Sequence, residues 1–164
     1  MRNLIVVNNL KYWNISIENV EIVSVKSYLL DPAYAEIRNA RIFNLCKSYK
    51  YQSTGYYVSL LAEGRGHRAF PSITVIQDFA SQTIVRAMSD EIDELIQKCL
   101  SKLKSKEFVL SIYFGKNIAK QYTKLSQNLY NLFQSPFLRA HFIFSKKWTL
   151  CYTFFKATAL SLNI

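Results

Sequence analysis

The sequence between residues 41 and 76 predicts a strand, a helix and a second strand in succession. This pattern constrains the fold more than any other feature of the sequence. Arg41–Leu45 (RIFNL) and Ser72–Ile76 (SITVI) are short apolar runs of the kind that forms buried strands. Residues 54–66, between them, have the apolar spacing of a helix. Two strands joined this closely through a helix are expected to lie parallel, with a right-handed crossover.

The helix of this unit carries signals at both ends. Thr54 offers a hydroxyl to the free amides of the first turn, and Gly64 or Gly66 can end the helix in a left-handed conformation. The apolar positions that recur at helical spacing are expected to face the core. They are Tyr57, Leu60 and Leu61.

The alternation of strands and helices continues along the chain. Further strands are predicted at Leu4–Val7, Val20–Val25, Phe108–Phe114, Leu138–Phe144 and Trp148–Phe155. A helical turn is predicted at Ala33–Arg38. Ser89 or Asp90 opens a longer helix, whose apolar face consists of Ile92, Leu95, Ile96, Leu100 and Leu103. Asn117 caps another helix, with Ile118, Tyr122, Leu125, Leu129, Leu132 and Phe133 facing inward.

Helices placed between strands predict an α/β protein. The expected architecture is a three-layer, Rossmann-like sandwich with a mostly parallel sheet and a C-terminal antiparallel hairpin. Four Gly and three Pro in 164 residues leave no flexible linker, so residues 1–164 are expected to form a single domain.

The net charge of +10 is concentrated in the last third of the chain. Residues 1–100 carry 11 basic and 10 acidic side chains, whereas residues 101–164 carry 10 basic and one acidic. Nucleic acid, an acidic protein surface and an acidic small molecule are all possible partners for such a charge. No apolar run approaches the roughly 20 residues of a membrane span, so we expect a cytoplasmic protein that does not bind a membrane.

The side chains that hold metals or form disulfides are few and far apart. The chain has three cysteines, Cys46, Cys99 and Cys151, and two histidines, His67 and His141, with no metal-binding spacing among them. We therefore predict neither a metal site nor a disulfide. Cys46 beside Lys47 is a weak candidate for a reactive thiol, and a buried structural thiol is the better reading.

The candidate site follows the strand at Arg41–Leu45. Ligands of open α/β sheets bind beyond the carboxyl ends of the strands, at the N-termini of the following helices. The polar loop found there combines cations, hydroxyls and tyrosines, which suit either anion binding or simple capping and rim packing. The predicted binding or docking residues are Asn44, Cys46, Lys47, Ser48, Tyr49, Lys50, Tyr51, Gln52, Ser53, Thr54 and Gly55.

Four stretches carry a resemblance to a known family. The segment from Asn44 reads NLCKSYKYQSTGYYVSLLAEGRGHRAFPS, and the others read SYLLDPAYAEIRNARIF, AMSDEIDELIQKCL and SIYFGKNIAKQY. Together they resemble the N-terminal domain of RimK-like ATP-grasp proteins over roughly residues 4–160. The residues that match the family's pattern are Asn44, Lys47, Ser48, Tyr49, Tyr51, Gln52, Gly55, Tyr56 and Tyr57.

The resemblance implies a setting rather than an activity. In that family the domain precedes an ATP-grasp module, which joins a carboxylate to an amine through an acyl-phosphate and holds ATP and magnesium. This chain supplies none of the module's lysines, acidic metal ligands or phosphate loop, so alone it is expected to ligate nothing and to need no cofactor. No catalytic residue is carried over.

Three hypotheses follow. In the first, the chain is a non-catalytic accessory domain that positions an acidic peptide or amino-acid substrate, or docks on an ATP-grasp module present in cis or in trans. In the second, it is a nucleic-acid- or ribosome-binding module that uses its basic last third, including Lys102, Lys104, Lys106 and Lys116, with aromatic side chains as stacking surfaces. Those side chains are Phe142, Phe144, Trp148, Tyr152, Phe154 and Phe155. The third, a thiol enzyme built on Cys46, is the weakest.

Overall fold

The structure is a computed structural model that describes the backbone of residues 1–154 and the side chains of residues 1–151. The described chain divides into two compact units, the first over residues 1–76 and the second from Gln77 onward. The assignment of residues 1–164 to a single family domain stays a prediction. No helix among the described residues is both long and apolar enough to cross a membrane.

The first unit is built on a parallel sheet. Its strands are β1 (Arg2–Val7), β2 (Val20–Ser24), β3 (Ala40–Asn44) and β4 (Arg68–Phe70). Its helices are α1 (Val25–Leu30), α2 (Pro32–Ala35) and α3 (Thr54–Gly64), and α4 (Ile73–Phe79) crosses the boundary to the second unit. The strand order is β2-β1-β3-β4, and every neighbouring pair is parallel.

The sheet order places β1 and β3 side by side in the middle. Leu4 of β1 lies between Glu21 of β2 and Ile42 of β3 in this register. Leu4, Ile42 and Val58 are fully buried in one core that joins the sheet to α3. A parallel strand–helix–strand crossover is present, as predicted, but its second strand is β4 and not the predicted Ser72–Ile76.

The second unit is built on an antiparallel sheet. Its helices are α5 (Gln82–Asp90), α6 (Asp93–Leu100) and α7 (Thr123–Phe133), and its strands are β5 (Glu107–Tyr113), β6 (Phe137–Phe144) and β7 (Trp148–Phe154). The strand order is β5-β6-β7, with a register shift between His141 and Phe142. The predicted C-terminal hairpin is confirmed, and β5 joins it as a third antiparallel strand. Phe155 lies outside the described residues.

The mixed α/β class and the parallel sheet with intervening helices are likewise confirmed. The three-layer, Rossmann-like arrangement is not tested by these elements and stays a prediction.

The strand predicted at Ser72–Ile76 is wrong, because the parallel strand ends at Phe70 and residues 73–79 are helical. The hydroxyl of Ser72 accepts a hydrogen bond from the amide of Val75 at 3.1 Å. The carboxylate of Glu63 accepts one from the amide of Ile73 at 2.7 Å. These side chains satisfy amides that a helix start leaves free, and this capping outweighs the strand preference of the β-branched residues.

The predicted inward face of α3 is also wrong. Tyr57, Leu60 and Leu61 are 40%, 40% and 38% exposed, whereas Val58 and Ala62 are fully buried. The helix packs on the sheet through its smaller side chains, which allow a close approach. The N-cap residue is Ser53 rather than Thr54, since the Ser53 hydroxyl accepts from the Tyr56 amide at 3.3 Å.

The C-terminal end of α3 agrees with the sequence prediction. Gly66 has φ +72°, the left-handed conformation that glycine adopts at no steric cost. The amide of His67 donates to the carbonyl of Ala62 at 2.8 Å, and that of Gly66 donates to Glu63 at 2.9 Å. This pair of hydrogen bonds is a Schellman motif.

Two helix starts in the second unit lie later than predicted. Ser89 and Asp90 end α5, whose own N-cap is Ser81, and α6 begins only at Asp93. The predicted apolar face of α6 is confirmed: Ile96 and Leu100 are buried, and Ile92, Leu95 and Leu103 are partly buried against the same core.

The helix predicted to follow Asn117 begins at Thr123. The Asn117 side chain instead closes a turn, accepting from the amide of Ala119 at 2.7 Å. Ile118, expected to face inward, is 83% exposed. The other predicted inward residues do pack in the core; they are Tyr122, Leu125, Leu129, Leu132 and Phe133.

Candidate functional site

The predicted site loop lies at the point where the chain leaves the parallel sheet in opposite directions. After β1 the chain continues to β2 on one side, and after β3 it continues to β4 on the other. Asn8, which follows β1, accepts a hydrogen bond from the amide of Lys47 at 2.7 Å, and its amide group donates to the hydroxyl of Thr54 at 3.3 Å. Such a switch point is where open α/β sheets bind their ligands.

Asn44 is buried at the base of the loop and holds it to α3. Its Nδ2 donates to the carbonyl of Gly55 at 2.7 Å and to Oγ of Ser59 at 2.9 Å. Its Oδ1 accepts from the amide of Cys46 at 3.3 Å, and its backbone carbonyl accepts from the hydroxyl of Tyr49. Because its side chain is fully buried and used within the fold, Asn44 positions the loop rather than contacting a ligand.

Gly55 packs against the beginning of the same loop. A Cβ built at this position would lie 2.2 Å from the carbonyl oxygen of Ser48 and 2.8 Å from Cβ of Cys46. The hydroxyl of Ser53 donates to the same Ser48 carbonyl at 2.9 Å. The loop is therefore folded back tightly on the N-terminus of α3, and only glycine fits at the contact.

Some backbone amides of this segment are used within the protein. Those that donate to groups of the protein itself include the amides of Cys46, Lys47, Lys50 and Ser53. At the start of α3, the amide of Tyr56 donates to the Ser53 hydroxyl. These hydrogen bonds make the loop a rigid surface, and anion binding at the N-terminus of α3 stays a prediction.

Cys46 is a buried structural thiol. It is fully buried, and burial raises its pKa from 9.0 to about 12. A high pKa keeps the thiol protonated and poorly nucleophilic at neutral pH, so the hypothesis of a thiol enzyme loses its chemical basis. Burial also holds the pKa of the neighbouring Tyr49 well above its ordinary value, with Cys46 as the second cause.

The exposed part of the loop continues onto the outer face of α3. Tyr51 is 75% exposed, and its ring contacts that of Tyr56, with centroids 5.3 Å apart. Tyr56 in turn meets Tyr57 edge-on at 5.8 Å. With Leu60 and Leu61, one helical turn further on, these residues form what we call the tyrosine–leucine face. Lys47, Lys50, Gln52 and Thr54 are the other exposed loop residues.

A second polar cluster, which sequence reasoning missed, joins the C-terminal ends of α1 and α3. The guanidinium of Arg65 donates to the carbonyls of Tyr28 at 2.7 Å and Leu29 at 3.2 Å and lies over the Tyr28 ring. His67 Nε2 lies 2.8 Å from the carbonyl of Ile37, and its Nδ1 lies 2.9 Å from the Tyr28 hydroxyl. Burial raises the pKa of Tyr28 to about 12, despite the opposing effect of Arg65. The cluster satisfies helix-terminal carbonyls, a structural role.

Cations of the last third are spread over the surface of the second unit. Lys102, Lys104, Lys106, Lys116, Lys120 and Lys124 are all exposed. His141 is buried, with Nε2 3.6 Å from a carboxylate oxygen of Glu107. Among residues 1–154, no group of three or more His, Cys, Asp or Glu side chains is placed to hold a metal ion.

Comparison with known protein families shows to which family the chain belongs. A family model described as the RimK-like ATPgrasp N-terminal domain matches residues 25–161. The chain belongs to this family. The matched range of this RimK-like domain contains the site loop, the tyrosine–leucine face and parts of both compact units, so the resemblance seen in the sequence is confirmed.

Other comparisons add little to the family assignment. A crystal structure of D-alanine–D-alanine ligase from Bacillus anthracis complexed with ATP is similar over 94% of this chain and 86% of that chain, with 10% sequence identity and a TM-score of 0.49. A likeness at this level carries no argument about function. No curated protein matches the sequence.

Proposed function

We propose that this RimK-like domain is a non-catalytic, cytoplasmic accessory part of an ATP-grasp carboxylate–amine ligase, and that it docks on the ATP-grasp module. Membership of a family of ATP-grasp N-terminal domains supports the association with such a module. The observation that supports docking is the tyrosine–leucine face, an apolar surface on a helix whose opposite side is fully packed.

The composition of α3 supports this reading. Tyr57, Leu60 and Leu61 fall at spacings of three and four residues, so they share one face of the helix. In most surface helices an apolar row of this kind packs against the core, whereas in α3 it is exposed to solvent. Contiguous exposed apolar side chains of this kind mark protein–protein contacts.

The rigidity of the loop also supports docking. Asn44, Gly55 and Ser53 hold the loop against the N-terminus of α3 through the contacts described above. A surface that is already ordered loses little conformational entropy when a partner binds. Tyr51 and its ring contact with Tyr56 extend the apolar surface from the helix onto this fixed loop.

The other form of the proposal has the loop position an acidic peptide or amino-acid substrate through Lys47 and Lys50, both exposed at the switch point. The exposed apolar row of α3 favours docking over this alternative. ATP and magnesium belong, on this account, to the ATP-grasp module. The described residues of this chain include no group of three His, Cys, Asp or Glu side chains placed to hold the metal.

The proposal is tested by titrating this chain into a RimK-like ATP-grasp module that lacks its own N-terminal domain. Calorimetry is expected to detect binding, and the double variant Leu60→Glu/Leu61→Glu is expected to weaken it by about tenfold or more, since each change puts a charge into an apolar contact. Ile118→Glu, which alters an exposed apolar residue of the second unit, should bind as the unaltered chain does.

Two further results separate the alternatives. If the loop positions substrate, Lys47→Gln/Lys50→Gln will raise the KM of the reconstituted ligase for its acidic substrate without changing the affinity between the two proteins. Magnesium-dependent ATP turnover by this chain alone would contradict the proposal outright.

A further inference from the structure

The second unit contains a groove of about 470 Å³ at one end of its antiparallel sheet. It lies where the segment before β5 meets the turn between β6 and β7. The lining residues that matter here are Gln97, Leu103, Lys104, Lys106, Phe144 and Trp148. None of them belongs to the loop or helix face discussed above, so the inference stands apart from the proposed function.

The walls of the groove are fixed by backbone hydrogen bonds. The side-chain amide of Gln97 pairs with both backbone groups of Trp148: Nε2 donates to the carbonyl at 2.6 Å, and Oε1 accepts from the amide at 2.9 Å. Phe144, the cross-strand partner of Trp148, donates through its amide to the carbonyl of Lys106 at 2.8 Å. The aromatic and basic residues are therefore held side by side by the fold itself.

Phe144 gives the groove an accessible aromatic surface. Its side chain is 41% exposed, and its ring centroid lies 5.4 Å from that of Trp148, at an angle of 56°. Of the aromatic residues that the sequence offered for stacking, Phe142 and Trp148 are buried. The side chains of Tyr152, Phe154 and Phe155 lie outside the described residues. Phe144 is thus the member whose ring is presented to solvent in the described structure.

The charge around the ring is positive. Lys104 and Lys106 line the groove, and Lys146 is exposed in the adjacent turn. Of the nearby carboxylates, Asp93 pairs with Lys147 at 3.0 Å, whereas Glu107 is exposed and lies 3.6 Å from Nε2 of His141. No carboxylate lines the groove among the described residues.

We infer that this groove binds single-stranded nucleic acid, with a base stacked on Phe144 and the flanking phosphates on Lys104 and Lys106. An exposed aromatic ring between cations is the arrangement by which proteins bind single strands without reading their sequence. An acidic peptide would use the same lysines, but it supplies no flat group for the exposed ring. The observations therefore favour nucleic acid.

Binding is measured by fluorescence anisotropy with labelled single-stranded RNA and DNA oligonucleotides of mixed sequence, over a series of salt concentrations. Each lysine–phosphate contact contributes about 0.7 to the slope of log affinity against log salt. The slope of Lys104→Gln/Lys106→Gln is therefore expected to be shallower by about 1.4 than that of the unaltered chain. The slope of Lys120→Gln/Lys124→Gln, two exposed lysines away from the groove, should stay the same.

The stacking contact is tested with Phe144→Leu, which keeps an apolar side chain but removes the ring. We expect affinity to fall by about fivefold or more, the range for loss of one stacked base. Phe114→Leu is the matched control, since Phe114 is 43% exposed. Thermal unfolding of each variant shows whether it remains folded.

The inference is overturned if no oligonucleotide binds at low salt, or if the control variants weaken binding as much as the groove variants do. It is also overturned if a poly-glutamate peptide of equal charge displaces the oligonucleotide at lower concentration, since the site would then be one for acidic peptides.

Discussion

The backbone of Gly55 lies so close to Ser48 that a Cβ on the glycine would be 2.2 Å from the serine carbonyl oxygen. The first residue of the contact sits in the first turn of α3, and the second lies in the loop before it. This close approach holds the loop against the helix, so that Tyr51 of the loop stays in contact with Tyr56 of the tyrosine–leucine face.

Replacement of Gly55 by alanine is expected to destabilise the protein by about 1–3 kcal/mol, the usual cost of forcing extra volume into a packed site. Gly64→Ala is the matched control, because a Cβ there meets nothing within 4 Å. That variant should be unchanged or more stable by up to about 1 kcal/mol. Urea unfolding measures both, and equal effects would show that the close contact is unimportant.

Asn44→Asp tests the hydrogen bonds beneath the loop. The change keeps the shape but replaces the Nδ2 donor with an oxygen, which would face the carbonyl of Gly55 and the hydroxyl of Ser59. We expect a loss of more than about 2 kcal/mol in the free energy of unfolding, because a buried acceptor is left against another acceptor. Asn8→Asp makes the same chemical change at an exposed residue. If it costs as much, Asn44 has no special role.

Arg65→Lys keeps the positive charge but removes the guanidinium group, whose two terminal nitrogens donate to two carbonyls at the end of α1. An ammonium cannot reproduce that paired geometry. Chemical denaturation should reveal a loss of about 1–2 kcal/mol, the scale of one hydrogen bond to a charged group. Arg68→Lys, at an exposed residue whose guanidinium lies over Phe70, is the control and should cost less. A stable Arg65→Lys variant would contradict the assigned role.

Stability is predicted to fall as the pH rises above about 9, the ordinary pKa of a cysteine thiol, because burial raises the pKa of Cys46 to about 12. Above the lower value the unfolded state releases a proton that the folded state retains, so alkaline pH favours unfolding. Between about pH 8 and about pH 10, the unaltered chain should lose about 1.4 kcal/mol more than Cys46→Ala. Urea unfolding at the two pH values measures this difference.

Cys99→Ala, at a partly exposed thiol, serves as the comparison for this pH effect. It should keep the pH dependence of the unaltered chain. If Cys46→Ala loses stability just as steeply at alkaline pH, other groups cause the effect. The candidates are Tyr28 and Tyr34, since both have a pKa raised to about 12.

The sequence predicted β3, α3 and a parallel strand after them because local signals agree there: a strand-like run, a helical spacing and a glycine that ends the helix at Gly66. It failed at residues 72–76, where β-branched residues favour a strand but the Glu63 carboxylate, distant in sequence, caps a helix. Such a contact exists only once the chain has folded.

The inward face of α3 was mispredicted for a related reason. Spacing alone identifies Tyr57, Leu60 and Leu61 as an apolar row, but it does not say whether the row meets the core of this chain or that of another protein. The residues on the opposite side, Val58 and Ala62, are the ones that pack in the core with the sheet. The loop follows β3, as the sequence predicted, and its role as a binding or docking site stays a prediction. The structural role of Asn44 is visible only in its hydrogen bonds.

The most direct measurement of the central claim is site-specific photo-crosslinking to the ATP-grasp module. A photoreactive phenylalanine analogue is placed at Tyr51, at Leu60 or, as a control, at the exposed Ile118. If the tyrosine–leucine face docks on the module, the first two positions will crosslink to it and the third will not. Crosslinking from Ile118 alone, or from none of the three while the proteins bind by calorimetry, would contradict the account.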